Sequence, residues 1–366
     1  MAFIKYKKED LNTLLIEAAV AGNIENVKSL LTRGADVDAR DEDGSTAMMF
    51  AAWYGHLDIV KYLVDHGADP NSTNKSGWTV MMHAVQDGHL DIVKYFVERG
   101  ADVNATDNDG DTAMMLAAEY GHLDVVKYLL EKGAKIDIKD DFGSTAMMHA
   151  ASHGHIEILK YLVDHGADPN LTNKFGLTAM MLAEQDGYLD IVKYLVERSA
   201  KVDAKGTGEE TAMMLAAQHG HLDIVKYFVE RGADINLTNK FGETAMMLAA
   251  EYGRLDIVKY LVDNGADPNL TNKSGWTAMM FAAWAGHLDI VKYLVDNGAD
   301  PSLKNNEGET AAMVAIKNDH KDIADYLNSV MQLMKIKEKM INSLVPGDST
   351  PKLNNELLRI LRTPKE

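Results

Sequence analysis

Thirteen histidines in 366 residues invite a metal-centred reading, with His153-Gly154-His155 and His219-Gly220-His221 as the densest pairs. Imidazole nitrogens are ordinary ligands for zinc and copper. Their spacing argues against a centre here. The two pairs are 66 residues apart, and His56, His89, His122, His155, His221, His287 and His320 recur at multiples of 33, all but His320 directly after a glycine. A residue that returns with a fixed period belongs to a repeated element. Cysteine is absent, which excludes disulfides, thiol catalysis and cysteine-based zinc sites. No Gly-x-Ser-x-Gly, phosphate loop, dinucleotide fingerprint or His-Glu-x-x-His occurs, and Gly206-Thr207-Gly208 is a turn variant. The residues therefore predict no enzyme, no cofactor and no metal.

The same period organises the chain. Thr recurs before Ala-Met-Met, Val-Met-Met or Ala-Ala-Met at 46, 79, 112, 145, 178, 211, 244, 277 and 310, always 33 apart. One period earlier lies Thr13, so ten units fill residues 1–330 and leave a tail at 331–366. The array holds 30 basic and 51 acidic residues, a net −21, while the tail holds seven and four, a net +3. Such acidity disfavours nucleic acid and anionic membrane surfaces. No run of 18 apolar residues and no apolar leader core is present, so neither a membrane span nor a secretory signal is expected. Sequons at Asn71, Asn104, Asn170, Asn236 and Asn269 recur because the unit recurs.

One unit explains the rest. Asp109-Gly110-Asp111-Thr112 supplies a turn and a helix N-cap. Ala113 to Tyr120 reads as a short helix ended by Gly121, and His122 to Lys132 as a second helix ended by Gly133. Leu123, Val125, Val126, Leu129 and Leu130 give the second helix its buried face. A unit this small buries its apolar surface only against its neighbours. At helix spacings of about 8–10 Å, ten units predict a curved rod on the order of 80–90 Å. Glu17 in an otherwise apolar or histidine slot, and Lys321, Ala324 and Asn328 in place of Leu and Val, predict polar caps at both ends of a complete array.

These residues resemble the ankyrin repeat. Asp107–Asp111 with Thr112, Ala117-Ala118, Gly121-His122-Leu123 and Gly133-Ala134 follow that family's pattern, over about nine-tenths of the chain. The departure is systematic: the family's Thr-Pro-Leu-His is Thr-Ala-Met-Met here, or Thr-Val-Met-Met at 79. The resemblance implies an all-α repeat solenoid of stacked helix-turn-helix units with β-hairpin-like fingers. It also implies a structural imidazole at Gly-His and partners docking on the concave face of fingertips and first helices. Sixteen of the 21 methionines lie in eight Met-Met pairs, which read as core filling rather than as a plastic partner groove.

Carried onto this chain, the docking slots are those where the units differ most. They place Trp53, Tyr54 and Trp78 in one aromatic cluster and Phe241, Tyr252, Trp276 and Trp284 in another, with Glu119, Tyr120, Phe142 and Phe175 between. These eleven are the candidate partner-binding residues, against the alternative that the aromatics pack on neighbouring fingers. Acidic tips at Asp41, Glu42, Asp43, Asp107, Asp109, Asp111, Glu119, Asp140 and Asp141 suit a protein partner with basic segments, or simple solvation. No small-molecule substrate is expected.

Glu184, Ser199, Lys201 and Glu209 break the pattern in adjacent units, as drift, a hinge or a contact site. Blocks such as Lys-Ser-Gly-Trp at 75–78 and 273–276, and Pro70, Pro169 and Pro268 at intervals of 99, point to duplication of three-unit blocks. In the tail, the last helix runs on through Leu344 to Pro346-Gly347, and Leu353 to Leu361 reads as a short amphipathic helix, a cap or a docking segment. The leading expectation is a monomeric, cytoplasmic protein-binding scaffold. Alternatives are a ubiquitin-ligase substrate adaptor working through the tail, and an effector that an intracellular microbe delivers into a host cytoplasm.

Overall fold

The computed structural model describes residues 8–198 and 200–344. The chain divides after Ala200 into two compact units. The first contains α1 (Lys8–Val20), α2 (Ile24–Thr32), α3 (Ala47–Trp53), α4 (Leu57–Asp65), α5 (Val80–Gln86) and α6 (Leu90–Val97). It continues with α7 (Ala113–Tyr120), α8 (Leu123–Glu131), α9 (Ala146–Ser152), α10 (Ile156–Asp164), α11 (Ala179–Gln185) and α12 (Leu189–Glu197). The second contains α13 (Ala212–His219), α14 (Leu222–Glu230), α15 (Ala245–Glu251), α16 (Leu255–Asp263), α17 (Ala278–Ala285), α18 (Leu288–Asp296), α19 (Ala311–Lys317) and α20 (Lys321–Leu344).

Within each unit, a short helix pairs with the one after it and stacks on the first helix of the next repeat, as α3 does on α5 and α15 on α17. The result is an all-α repeat solenoid. Its core is made of the Met-Met pairs, 0–3% exposed in every case, with the inward Ile, Val and Leu of the second helices. That burial leaves no methionine groove. The second methionine also has a polar duty: Thr112 Oγ1 accepts from the Met115 N–H at 3.3 Å, while the Thr112 N–H donates to Met115 Sδ at 3.3 Å. Sulfur thus stands in for the carboxylate of a capping box, as it does after Thr46, Thr79 and Thr211.

Ala113 and its equivalents occupy the first helical position, where proline is pre-organised and no intrahelical N–H bond is lost. Ala113→Pro is expected to stabilise by roughly 0.4–1 kcal/mol. Urea unfolding checks it; a lower midpoint would show that the buried position has no room for the ring.

Repeats are clamped by the Gly-His step. His155 Nε2 donates to the Glu119 carbonyl at 2.9 Å, and His122 to that of Gln86 at 2.9 Å, closing the end of the preceding first helix. Arg254 takes the same place with an Nε–H to the Gln218 carbonyl at 3.2 Å. Gly121 has to be glycine: its φ is +85°, and a Cβ there would stand 2.7 Å from His155 Cε1. In the first His-Gly-His pair, His155 Nε2 is taken by the clamp and His153 Nδ1 lies 3.0 Å from the His149 carbonyl.

The fingers are less sheet-like than expected. Isolated antiparallel bridges form at Arg40–Thr46, Thr73–Thr79, Thr106–Thr112 and Lys205–Thr211, and other fingers are turns. What shapes them is an Asx side chain. Asp140 Oδ1 accepts from the N–H groups of Phe142 at 2.8 Å and Ser144 at 2.7 Å, and Asp41, Asn74, Asp107, Asn173, Asn239, Asn272 and Asn305 repeat the motif. Within each unit successive fingers share one main-chain bond, such as Asp141 N–H to Asp109 carbonyl at 2.8 Å or Lys273 N–H to Phe241 carbonyl at 2.9 Å.

At the C-terminal end, Lys321 and Asn328 face solvent, but so do Met313, 50% exposed, and Ile316, 59% exposed. That outer face is mixed, not polar throughout, and Ala324 is buried. Helix α20 passes position 330 without a break. Ser199, Pro346-Gly347 and the expected helix at Leu353–Leu361 lie outside the described residues.

Candidate functional site

The slots chosen from sequence fall into two groups. Tyr54, Tyr120, Phe142, Phe175, Phe241, Tyr252 and Trp284 are 40–61% exposed, although each is large and apolar. Trp53, Trp78, Trp276 and Glu119 are half-buried. The finger turns explain the exposed phenylalanines. Asx side chains bond the backbone of Phe142, Phe175 and Phe241, so these residues sit on the turn with their rings outward. Lys240 Nζ lies 5.0 Å from the centre of the Phe241 ring.

The first aromatic cluster is a real assembly. Trp53 stacks between Phe50 and Tyr54, with centroids 6.3 and 5.5 Å away, and its Nε1–H donates to Asp87 Oδ1 at 3.3 Å. Trp78 approaches from the adjacent finger. Both indoles flank His83, at 6.2 and 5.4 Å between centroids. Together they border a cleft of about 520 Å³. The second cluster is looser in composition: Trp276 meets Phe281 at 5.2 Å, and no imidazole stands at that slot.

Sequence reasoning missed the two histidines that matter to the fingers, His83 and His149. They are the only histidines directly after a Met-Met pair, where other units carry Phe50, Leu116, Leu182, Leu215, Leu248 or Phe281. That signal was legible, but it was hidden among the periodic Gly-His residues. His83 is 7% exposed, and neither ring nitrogen has a partner among the described residues. Burial holds its pKa down at about 4 against the opposing pull of Asp41, so the ring is neutral at pH 7.

His149 has the opposite surroundings. Its Nε2 lies 3.1 Å from Asp140 Oδ2 and 3.6 Å from Asp111 Oδ1, and its Nδ1 lies 3.9 Å from Glu119 Oε2. Burial pushes the Asp111 carboxyl up to about 6, with His149 pulling the other way and Asp107, Asp140 and Glu119 adding to the rise. Asp111, Asp140 and His149 offer ligand atoms within 4.8 Å of one another, and among the described residues they are the set that could hold a metal ion. Asp140 is already committed: one oxygen shapes its own finger and the other pairs with His149. The cluster therefore ties a finger to α9.

None of these groups is arranged as nucleophile, base and oxyanion donor. No helix among the described residues is long and apolar enough to cross a membrane. No curated protein matches the chain. The family model for ankyrin repeats (3 copies) matches residues 2–74, 66–140, 134–206, 200–272 and 265–337. With the capped helix pairs, Gly-His clamps and finger turns described above, the chain belongs to the ankyrin-repeat family, whose repeats generally serve as protein–protein interaction modules.

Proposed function

We propose that this protein is a non-catalytic scaffold that binds a partner protein across its fingertips and the exposed ends of its first helices. The observation that supports this is the exposure of seven large aromatic side chains at three finger and first-helix positions of the repeat, while the methionine pairs and the inward Ile, Val and Leu fill the core. Aromatic anchors ringed by acidic residues suit a partner segment that is itself basic. The test is crosslinking capture with the wild type and with a Trp53, Trp78, Trp276 and Trp284 to Ala variant. Loss of the specific partners from the variant, with unchanged helical content, is the expected result; retention of every partner would overturn the site.

A second reading, docking through the C-terminal helix as in a ligase adaptor, has its own support. Leu333, Ile336 and Met340 on α20 are 47–59% exposed. A Leu333, Ile336 and Met340 to Gln variant separates the readings better than a cut at 330, which would sever α20. Partners lost only from that variant would favour the adaptor.

A further inference from the structure

The cleft between the fingers at residues 41–45 and 74–78 combines two features that do not ordinarily meet by accident. Its walls are the half-buried indoles of Trp53 and Trp78, and its rim carries the carboxylates of Asp41, Asp43 and Asp109. Its floor includes His83, buried, with both ring nitrogens unbonded. One of those nitrogens carries a hydrogen and the other is a free acceptor. An unpaired buried acceptor costs stability in the free protein. A ligand N–H would relieve it.

We propose that this cleft receives the guanidinium group of an arginine side chain from the partner, an inference that rests on the binding function proposed above. Indole faces attract a cation, and a planar guanidinium also stacks on them. The forked N–H groups match carboxylates that remain available: Asp41 gives only Oδ1 to its finger, and Asp43 and Asp109 are exposed. The neutral His83 adds an acceptor without adding charge. Lys75 also lines the cleft, but its Nζ donates to the Glu42 carbonyl, and it stands alone against three aspartates. The cluster at Trp276 lacks this combination, since Phe281 occupies the place of His83.

The full chain is titrated with N-acetyl-arginine amide while the indole N–H resonances of the four tryptophans are followed by NMR. Saturable shifts confined to Trp53 and Trp78 are expected. The citrulline analogue, isosteric but uncharged, should bind at least tenfold more weakly, and the lysine amide several-fold more weakly. Asp43→Asn, on an exposed residue that leaves the fold alone, should weaken arginine binding several-fold, and His83→Phe should do so without abolishing folding, because Phe50 fills that slot elsewhere. Equal shifts from citrulline, or tighter binding of the lysine or trimethyllysine amide, would overturn the assignment. Failure here with partner capture still dependent on the tryptophans removes the arginine inference alone. Saturable arginine binding with tryptophan-independent capture removes the scaffold site instead.

Discussion

Replacing Glu184 with leucine is expected to stabilise the protein by about 1–3 kcal/mol at neutral pH. Glu184 lies in α11 with no exposed surface, and neither carboxylate oxygen has a hydrogen-bond partner among the described residues. The equivalent slots hold Ala52, Val85, Ala118, Ala151, Ala217, Ala250 and Ala283, all fully buried. Leucine roughly keeps the volume and removes the unmet polar atoms. Burial pushes the carboxyl well above the usual carboxylate range. The sign of the pH dependence follows. In the window above the ordinary Glu value of 4.5, the folded chain retains a proton that the unfolded chain has released. Raising pH through that window therefore lowers wild-type stability, and the leucine variant escapes the loss. Urea unfolding at about pH 4 and about pH 8 should show the variant's advantage widening with pH. A gap that narrows, or a lower midpoint throughout, would mean that the carboxyl finds partners in solution.

The second large effect is expected in the finger at 205–211. The double variant Gly206→Asn with Glu209→Gly should stabilise by about 2–3 kcal/mol. Every other complete finger carries Asp or Asn at its first turn position; here Gly206 has no side chain to accept the two N–H groups. Glu209 compounds the defect, adopting φ +60° where other fingers place glycine. A non-glycine residue in that region costs about 1–2 kcal/mol. The Lys205–Glu209 ion pair at 3.4 Å is largely exposed and returns little. Both single variants and the double are compared by denaturant midpoint, because residues three apart on one turn need not add. A double variant no more stable than the wild type would show that this finger is held by something other than its turn.

The period of 33 made the repeat pairs, the threonine caps and the glycine breaks legible, because each depends on chemistry local to a few residues. The Gly-His role was also readable, through the resemblance. Contacts from one repeat to the next were harder. Lys-Ser-Gly-Trp at 75–78 and 273–276 looked equivalent, yet His83 or Phe281 decides what each tryptophan meets. Glu209 stood out as a lost glycine, whereas the loss at Gly206 was invisible without knowing that the Asx oxygen bonds two backbone N–H groups. Exposure divided the tryptophans in a way that slot position did not, since Trp284 reaches solvent and Trp78 lies against a buried ring.

The bonds that hold the fingers have a consequence for how such a surface changes over time. Within each unit a finger is joined to the next through main-chain atoms, and every finger but that at 205–211 is folded by one Asx oxygen on its own backbone. The tip side chains take no part in either bond, although Lys75, Asn108 and Asn306 each donate to a carbonyl of the preceding finger. Architecture and recognition thus reside in different atoms, and a lineage can rewrite Asp141-Phe142 or Lys273-Ser274 without renegotiating the framework. The array behaves as a row of sockets with interchangeable inserts, which is why units so nearly identical can present such different faces.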